Sequence, residues 1–423
     1  MSINKKLFGI EFQQANIHGI EIFHFFKKNS PIRIQATIHA GARYDEKSGT
    51  AHFTEHMICA GTENFPSKDK LAEYIENVGG SFSLETDSDV IRVSAEVADR
   101  DDLSVAISVL DEIINKPLLR PETLENERGS ILSEYTKIKT NQDRFVWNVY
   151  RRLFFQQTDA EKSPIGDPNS ISSISLEDVT AFRKKYFNNN NVVIISCGDI
   201  DIKTLTEKLD SVLTNIPHSS KTPAEISQLP IITEKLSDIE IYPNSKQANT
   251  VIGFRTKTDN IADEICGQVC ADYLAGGRAS FLMKKLRYEK GLVYNISASS
   301  NVYADRSTFV VQTSCESEKF PGVKNIIAEC FENFKNDSLF IEKLDAIKTH
   351  LKKSFFIKLQ TSESWLKYNS GLAIMPDKNS IIDYLYAIDA VNPEIMKKYL
   401  KKNFSDNTIF TAVCGPESIK KFL

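Results

Sequence analysis

Leu176-Glu177-Asp178-Val179-Thr180-Ala181-Phe182-Arg183-Lys184-Lys185-Tyr186-Phe187 leads through an Asn-rich turn into Val192-Val193-Ile194-Ile195-Ser196-Cys197-Gly198. The same order of residue types returns as Pro393-Glu394-Ile395-Met396-Lys397-Lys398-Tyr399-Leu400-Lys401-Lys402-Asn403-Phe404, followed by Ile409-Phe410-Thr411-Ala412-Val413-Cys414-Gly415. Cys197 and Cys414 are 217 positions apart (414 − 197), and Phe187 and Phe404 share that offset (404 − 187). In each copy an amphipathic helical stretch precedes a β-branched run short enough to be a buried strand. A helix–strand unit repeated at half the chain length predicts two homologous α+β domains. Their expected bounds are 1–216 and 237–423. The Ser-, Pro- and Thr-rich stretch between them, residues 217–236, reads as a linker.

The remaining pattern fits that plan. Ile20 to Phe26 and Ile32 to Ala40 read as strands joined by the turn Asn29-Ser30-Pro31. A helix is expected from Thr50 and another from Lys68 to Val78, which Gly79-Gly80 would stop. Strands are expected near Ser81–Glu85 and Val90–Val97, and helices dominate from Arg100 to Phe187. The 423 residues carry 52 basic and 56 acidic side chains, a net charge of −4, which gives no bulk attraction to nucleic acid or an anionic membrane. No apolar run approaches the roughly 20 residues of a membrane-spanning helix. The opening Met1-Ser2-Ile3-Asn4-Lys5-Lys6-Leu7 is not followed by the apolar core of a secretory signal. Seven cysteines without a C-x-x-C pair read as buried thiols in a reducing compartment, so the cytoplasm is the expected location.

One segment carries metal chemistry. His52 and His56 are four apart, which on a helix puts both imidazoles on one face, with Cβ atoms roughly 5–6 Å apart. Glu55 lies beside them, where a carboxylate could take a proton from water activated by a metal ion. A catalytic zinc needs a third protein ligand from elsewhere. Glu127 and Glu134 are two helical turns apart on a stretch with apolar Leu124, Ile131, Leu132, Tyr135 and Ile138, and so share a face. Spacing alone does not separate them from ordinary exposed glutamates.

His52-Phe53-Thr54-Glu55-His56, with Gly41-Ala42-Arg43-Tyr44 before it and Gly61-Thr62 after it, resembles the pitrilysin/insulinase family of metallopeptidases. Asn126-Glu127-Arg128-Gly129-Ser130-Ile131-Leu132-Ser133-Glu134 resembles that family's second motif. Leu286-Arg287-Tyr288-Glu289-Lys290-Gly291-Leu292-Val293-Tyr294 resembles its arginine–tyrosine segment. The resemblance implies Zn²⁺ held by His52, His56 and Glu134, Glu55 as general base and Glu127 as a supporting residue. It implies Arg287 and Tyr294 as donors to the substrate carbonyl and oxyanion. It further implies that each domain is a mixed β-sheet packed with helices, that the chain forms half of a clam-shell, and that it works as a homodimer in which those two residues serve the partner's zinc, or pairs with a homologous chain. Where the family shows Asn-Ala on a strand lining the substrate, this sequence has Ser83-Leu84, so the substrate contact there is expected to differ. The function implied is endopeptidase action on short or unfolded peptides. The alternative is a non-catalytic or partner-dependent scaffold subunit.

Overall fold

The computed structural model describes residues 6–7, 9–219, 234–336, 338–405 and 408–423. Most of the expected linker, residues 220–233, lies outside the described residues. The first sheet is built from β1 (Lys6–Leu7), β2 (Ile10–Ile17), β3 (Ile20–Lys27), β4 (Ile32–Ile38), β5 (Ser81–Thr86), β6 (Ile91–Val97) and β7 (Val192–Gly198). Their order is β1-β2-β3-β7-β4-β6-β5. The second sheet is built from β8 (Ser237–Ile241), β9 (Gln247–Thr256), β10 (Val293–Val302), β11 (Ser307–Glu316) and β12 (Phe410–Gly415), in the order β10-β11-β9-β12-β8.

The duplication read from sequence is visible in the pairing. The run β3-β7-β4-β6-β5 matches β8-β12-β9-β11-β10 strand for strand. β3 and β7 are parallel, as are β8 and β12. Every other pair in either run is antiparallel. The hairpin β1–β2 is an addition to the first sheet that the sequence reading did not include. The repeated helix–strand pairs are Leu176–Tyr186 with β7 and Pro393–Asn403 with β12. β7 and β12 are buried along their whole length, which accounts for their unbroken apolar runs.

The chain divides into two discontinuous compact units. The first comprises Met1–Tyr135, Lys162–Glu225 and Lys358–Ile382, and the second Thr136–Glu161, Ile226–Ile357 and Asp383–Leu423. The expected bounds 1–216 and 237–423 therefore describe the bulk of each unit but not two exchanged segments. One is the helix Gln142–Phe154, which packs on β12, β9 and β8 of the second sheet. Its Phe154 ring lies 4.9 Å from that of Phe410, and the Phe154 carbonyl accepts from Arg255 Nε at 2.7 Å. The other is the helix Ser362–Tyr368, which packs on β7 and β4 of the first sheet, with Trp365 5.5 Å from Phe25. The exchange is reciprocal, so each sheet is covered by a helix encoded in the other half.

In the first unit, the inward residues of the sheet (Ile34, Ala36, Val93, Ala95) join α3 (Leu103–Asn115) through Leu110 and Ile113 in one core. α1 (Thr50–Cys59) enters the same core through Ala51, Ile58 and Cys59, leaving its polar residues to one side. α2 is Lys68–Glu76 and α4 is Pro121–Thr140. None of the described helices is long and apolar enough to cross a membrane. Cys59, Cys197, Cys266, Cys270, Cys315 and Cys414 are buried thiols.

Candidate active site

α1 starts at Gly49, which adopts φ 95°. An L side chain is disfavoured there, and the glycine also packs against Gly166. The helix start is capped by Asp45, whose carboxylate accepts from Gly49 N at 2.7 Å and from Ala51 N at 2.8 Å. Lys162 donates to the Asp45 carbonyl at 2.6 Å. The loop before α1 is fastened to the turn after β5: Ala42 N and Arg43 N donate to Asp87 O and Ser88 O, each at 3.0 Å. Arg43 also meets Asp89 in a buried ion pair of 3.0 Å. Gly41 is required at this junction, because a Cβ there would stand 2.3 Å from Asp87 O.

On this helix His52 and His56 face one another, with ring centroids 4.8 Å apart and planes at 83°. α4 brings two glutamates to them. Its Ile131 is fully buried, and its Arg128 guanidinium lies 5.2 Å from the Phe53 ring of α1 and donates to Ile174 O at 2.8 Å. Glu134 Oε2 then lies 3.6 Å from His52 Nε2 and 3.8 Å from His56 Nε2. Ligand atoms about 2.0–2.2 Å from a tetrahedral zinc are about 3.3–3.6 Å apart, so this convergence fits one ion with little movement. Glu127, two turns earlier, accepts from His56 Nδ1 at 2.9 Å. That bond leaves His56 Nε2 as the nitrogen that could take a metal ion, the arrangement of a carboxylate–histidine–metal triad. The ligand atoms offered by His52, Glu55 and His56 all lie within 4.8 Å of one another.

The two histidines differ electrostatically. Burial, reinforced by the neighbouring His56, lowers His52 to about 4. For His56 burial also favours the neutral ring, but the hydrogen bond to Glu127 and the nearby Glu134 and Glu55 carboxylates outweigh it and hold the group up to about 9. Burial raises Glu55 above the usual carboxylate range, against a hydrogen bond from Thr86 that stabilises its charge. Thr86 Oγ1 donates to Glu55 Oε2 at 2.6 Å. Thr86 lies two residues beyond Leu84, and its contact with Glu55 is not expected from the sequence. Alternation along β5 puts Phe82, Leu84 and Thr86 on one face and Ser81, Ser83 and Glu85 on the other.

That alternation also separates Ser83 from Leu84. Leu84 packs against the core, whereas the Ser83 hydroxyl accepts from Arg33 Nη2 at 3.1 Å. β5 pairs with β6 alone among the described strands, so its outer edge is open. Arg287 and Tyr294 belong to the second unit. Arg287 lies in the last turn of a π-helical stretch, Met283–Tyr288, and donates to the Tyr294 carbonyl at 2.7 Å. Its guanidinium lies 4.6 Å from the Tyr294 ring, and that ring, on edge strand β10, is 77% exposed.

Two family models match the chain. One, described as insulinase (peptidase family M16), matches residues 27–168, and the other, described as the peptidase M16 inactive domain, matches residues 173–351. The chain belongs to the M16 (insulinase) family. His52, Glu55, His56, Glu127 and Glu134 all fall within the first match, and Arg287 and Tyr294 within the second. An uncharacterized zinc protease of Mycobacterium leprae is 23% identical over 388 residues, covering 89% of this chain and 84% of that protein. A mitochondrial-processing peptidase subunit beta of Bos taurus is 24% identical over 391 residues, covering 90% and 79%. Among solved structures, a peptidase M16 inactive domain from Pseudomonas fluorescens matches with a TM-score of 0.85 at 18% identity over 96% of this chain and 98% of that one. A protease from Helicobacter pylori matches with a TM-score of 0.85 at 16% identity over 97% and 100%. At these identities the structural matches speak to the M16 fold alone.

Proposed function

We propose that this M16 protein is a zinc-dependent endopeptidase that hydrolyses short or unfolded peptides. The observation that carries the reading is the convergence of His52 Nε2 and His56 Nε2 on Glu134 Oε2, with Glu55 beside them and Glu127 behind His56. His52, His56 and Glu134 would hold the zinc. When bound, it would supply Lewis acidity toward water and the scissile carbonyl. Glu55 receives a proton from the attacking water and passes it to the leaving amine. Its burial favours such a role, because a carboxylate with a raised pKa is a better proton acceptor. The open edge of β5 would take an extended peptide as an added strand, so backbone bonds would dominate recognition. Relatives named as zinc proteases support the metal.

A homodimer completes the reading. Arg287 and Tyr294 of one subunit would donate hydrogen bonds to the carbonyl and oxyanion at the partner's site. A relative named as a subunit supports dependence on a second chain, which for this protein would be another copy or a homologue. The buried thiols support a reducing compartment, the cytoplasm.

The test is zinc content together with cleavage of a quenched fluorescent peptide library by wild type and Glu55→Gln. About one zinc per chain in both proteins, with cleavage by wild type alone, is the expected result. Zinc-loaded wild type that cleaves nothing, alone or with a homologous chain added, would move the reading to a scaffold subunit.

A further inference from the structure

The Glu55 carboxylate is held by a strand. The strand residue is Thr86, whose hydroxyl donates to Glu55 Oε2 at 2.6 Å. The direction is fixed, since an ionised carboxylate has no proton to give. Thr86 does not need this bond to keep its place. It is paired with Ile91 in the β5–β6 ladder, and the turn beyond it closes through Asp87 N to Val90 O at 2.9 Å. The same turn is clamped by Ala42, Arg43 and Gly41. A hydroxyl on so fixed a backbone is a rigid donor. It occupies one oxygen of Glu55 and leaves the other to take and deliver a proton. β5 is also an edge strand, paired on one side only among the described strands.

We propose that Thr86 is a positioning residue: its hydroxyl fixes the Glu55 carboxylate and ties the alignment of the general base to the strand on which the peptide would add. This inference rests on the peptidase reading above, and the experiment separates the two. Thr86→Val keeps the β-branched shape and removes the hydroxyl, whereas Thr86→Ser keeps the hydroxyl. Both variants should bind zinc as wild type does. Thr86→Val should lose roughly tenfold or more in kcat, as partners behind a catalytic group commonly do. Its KM should stay within about twofold, because the bond acts on the reacting group and not on uniform binding. Thr86→Ser should recover most of the rate. A Thr86→Val enzyme with wild-type kcat would overturn the proposal, and so would a Thr86→Ser enzyme as slow as Thr86→Val, while cleavage by wild type left the peptidase reading intact. A second readout does not depend on turnover. In cobalt-substituted protein, the visible bands of Thr86→Val should shift toward those of Glu55→Gln. Bands coincident with wild type would reject the role of Thr86 even in a protein that cleaves nothing.

Discussion

The bond from His56 Nδ1 to Glu127 Oε2, 2.9 Å long, fixes a proton on Nδ1 and would leave Nε2 for the proposed zinc. Glu127→Gln keeps an acceptor but removes its charge. Zinc affinity should fall about tenfold to a hundredfold by competition with a chelating dye. Glu134→Ala removes the point on which both histidines converge and should leave the protein without stoichiometric zinc by elemental analysis. A third histidine tests the fold instead of the site. His24 is fully buried on β3, donating from Nε2 to Ile200 O at 2.7 Å and accepting at Nδ1 from Ser196 Oγ at 2.8 Å. Burial lowers it from 6.5 to about 4, against the pull of those partners. Between those values the unfolded chain binds a proton that the fold refuses, so stability falls as pH drops from 6.5 through 4, by about 3 kcal/mol at most for this group. Asp45, pushed up to about 7 by burial, acts in the opposite sense over much of that window. The informative quantity is therefore the stability difference between wild type and His24→Asn in urea unfolding. Wild type should lose ground to the variant as pH falls from 7 to 4; a constant difference would show that His24 protonates equally in both states.

At the scale of elements, α1 was legible because its residues announce both a helix and a chemistry. His52, Glu55 and His56 share a face only in a 3.6-residue period. What fixes the start of that helix was not legible. Asp45 lies several residues before the first histidine, and nothing in local spacing shows that its carboxylate folds back onto Gly49 N and Ala51 N. The clamp of Gly41 and Arg43 on the β5–β6 turn is likewise a tertiary contact between segments about 45 residues apart, beyond any periodic signal. Strand β5 shows the same limit. Its alternation could be read, but that Thr86 meets Glu55 depends on how α1 lies over the strand. Asp45→Ala should cost about 1–2 kcal/mol through the lost cap. Urea unfolding of the metal-free protein would give that cost without the contribution of bound zinc. A zero cost would mean that water replaces the carboxylate and that Lys162 and Gly166 suffice to hold the helix start.

At the scale of the whole molecule, two sheets with one strand order came from one repeated helix–strand phrase, Leu176–Gly198 and Pro393–Gly415. The phrase revealed the duplication because its strand is buried on both faces and its helix on one, leaving little freedom in either pattern. It could not reveal the exchange of Gln142–Phe154 and Ser362–Tyr368, since an amphipathic helix records that it covers a sheet but not which sheet. The duplication also divides the proposed chemistry, with the metal ligands in one unit and Arg287 and Tyr294 in the other. If those two residues act on the partner's zinc, neither Glu55→Gln nor Tyr294→Phe should be active alone, yet a mixed dimer regains one working site. The zinc, Glu55 and substrate edge of that site come from the Tyr294→Phe chain, and its tyrosine comes from the Glu55→Gln chain. With random exchange half the dimers are mixed and each has one of two sites intact, so an equimolar mixture should approach about one quarter of wild-type activity. Exchange is followed independently by fluorescence transfer between differently labelled chains. Recovery that tracks exchange would place the two halves of the chemistry on different chains. Inactive parents with complete exchange and no recovery would mean that Tyr294 acts within its own chain, and an active Tyr294→Phe parent that it does not act at all.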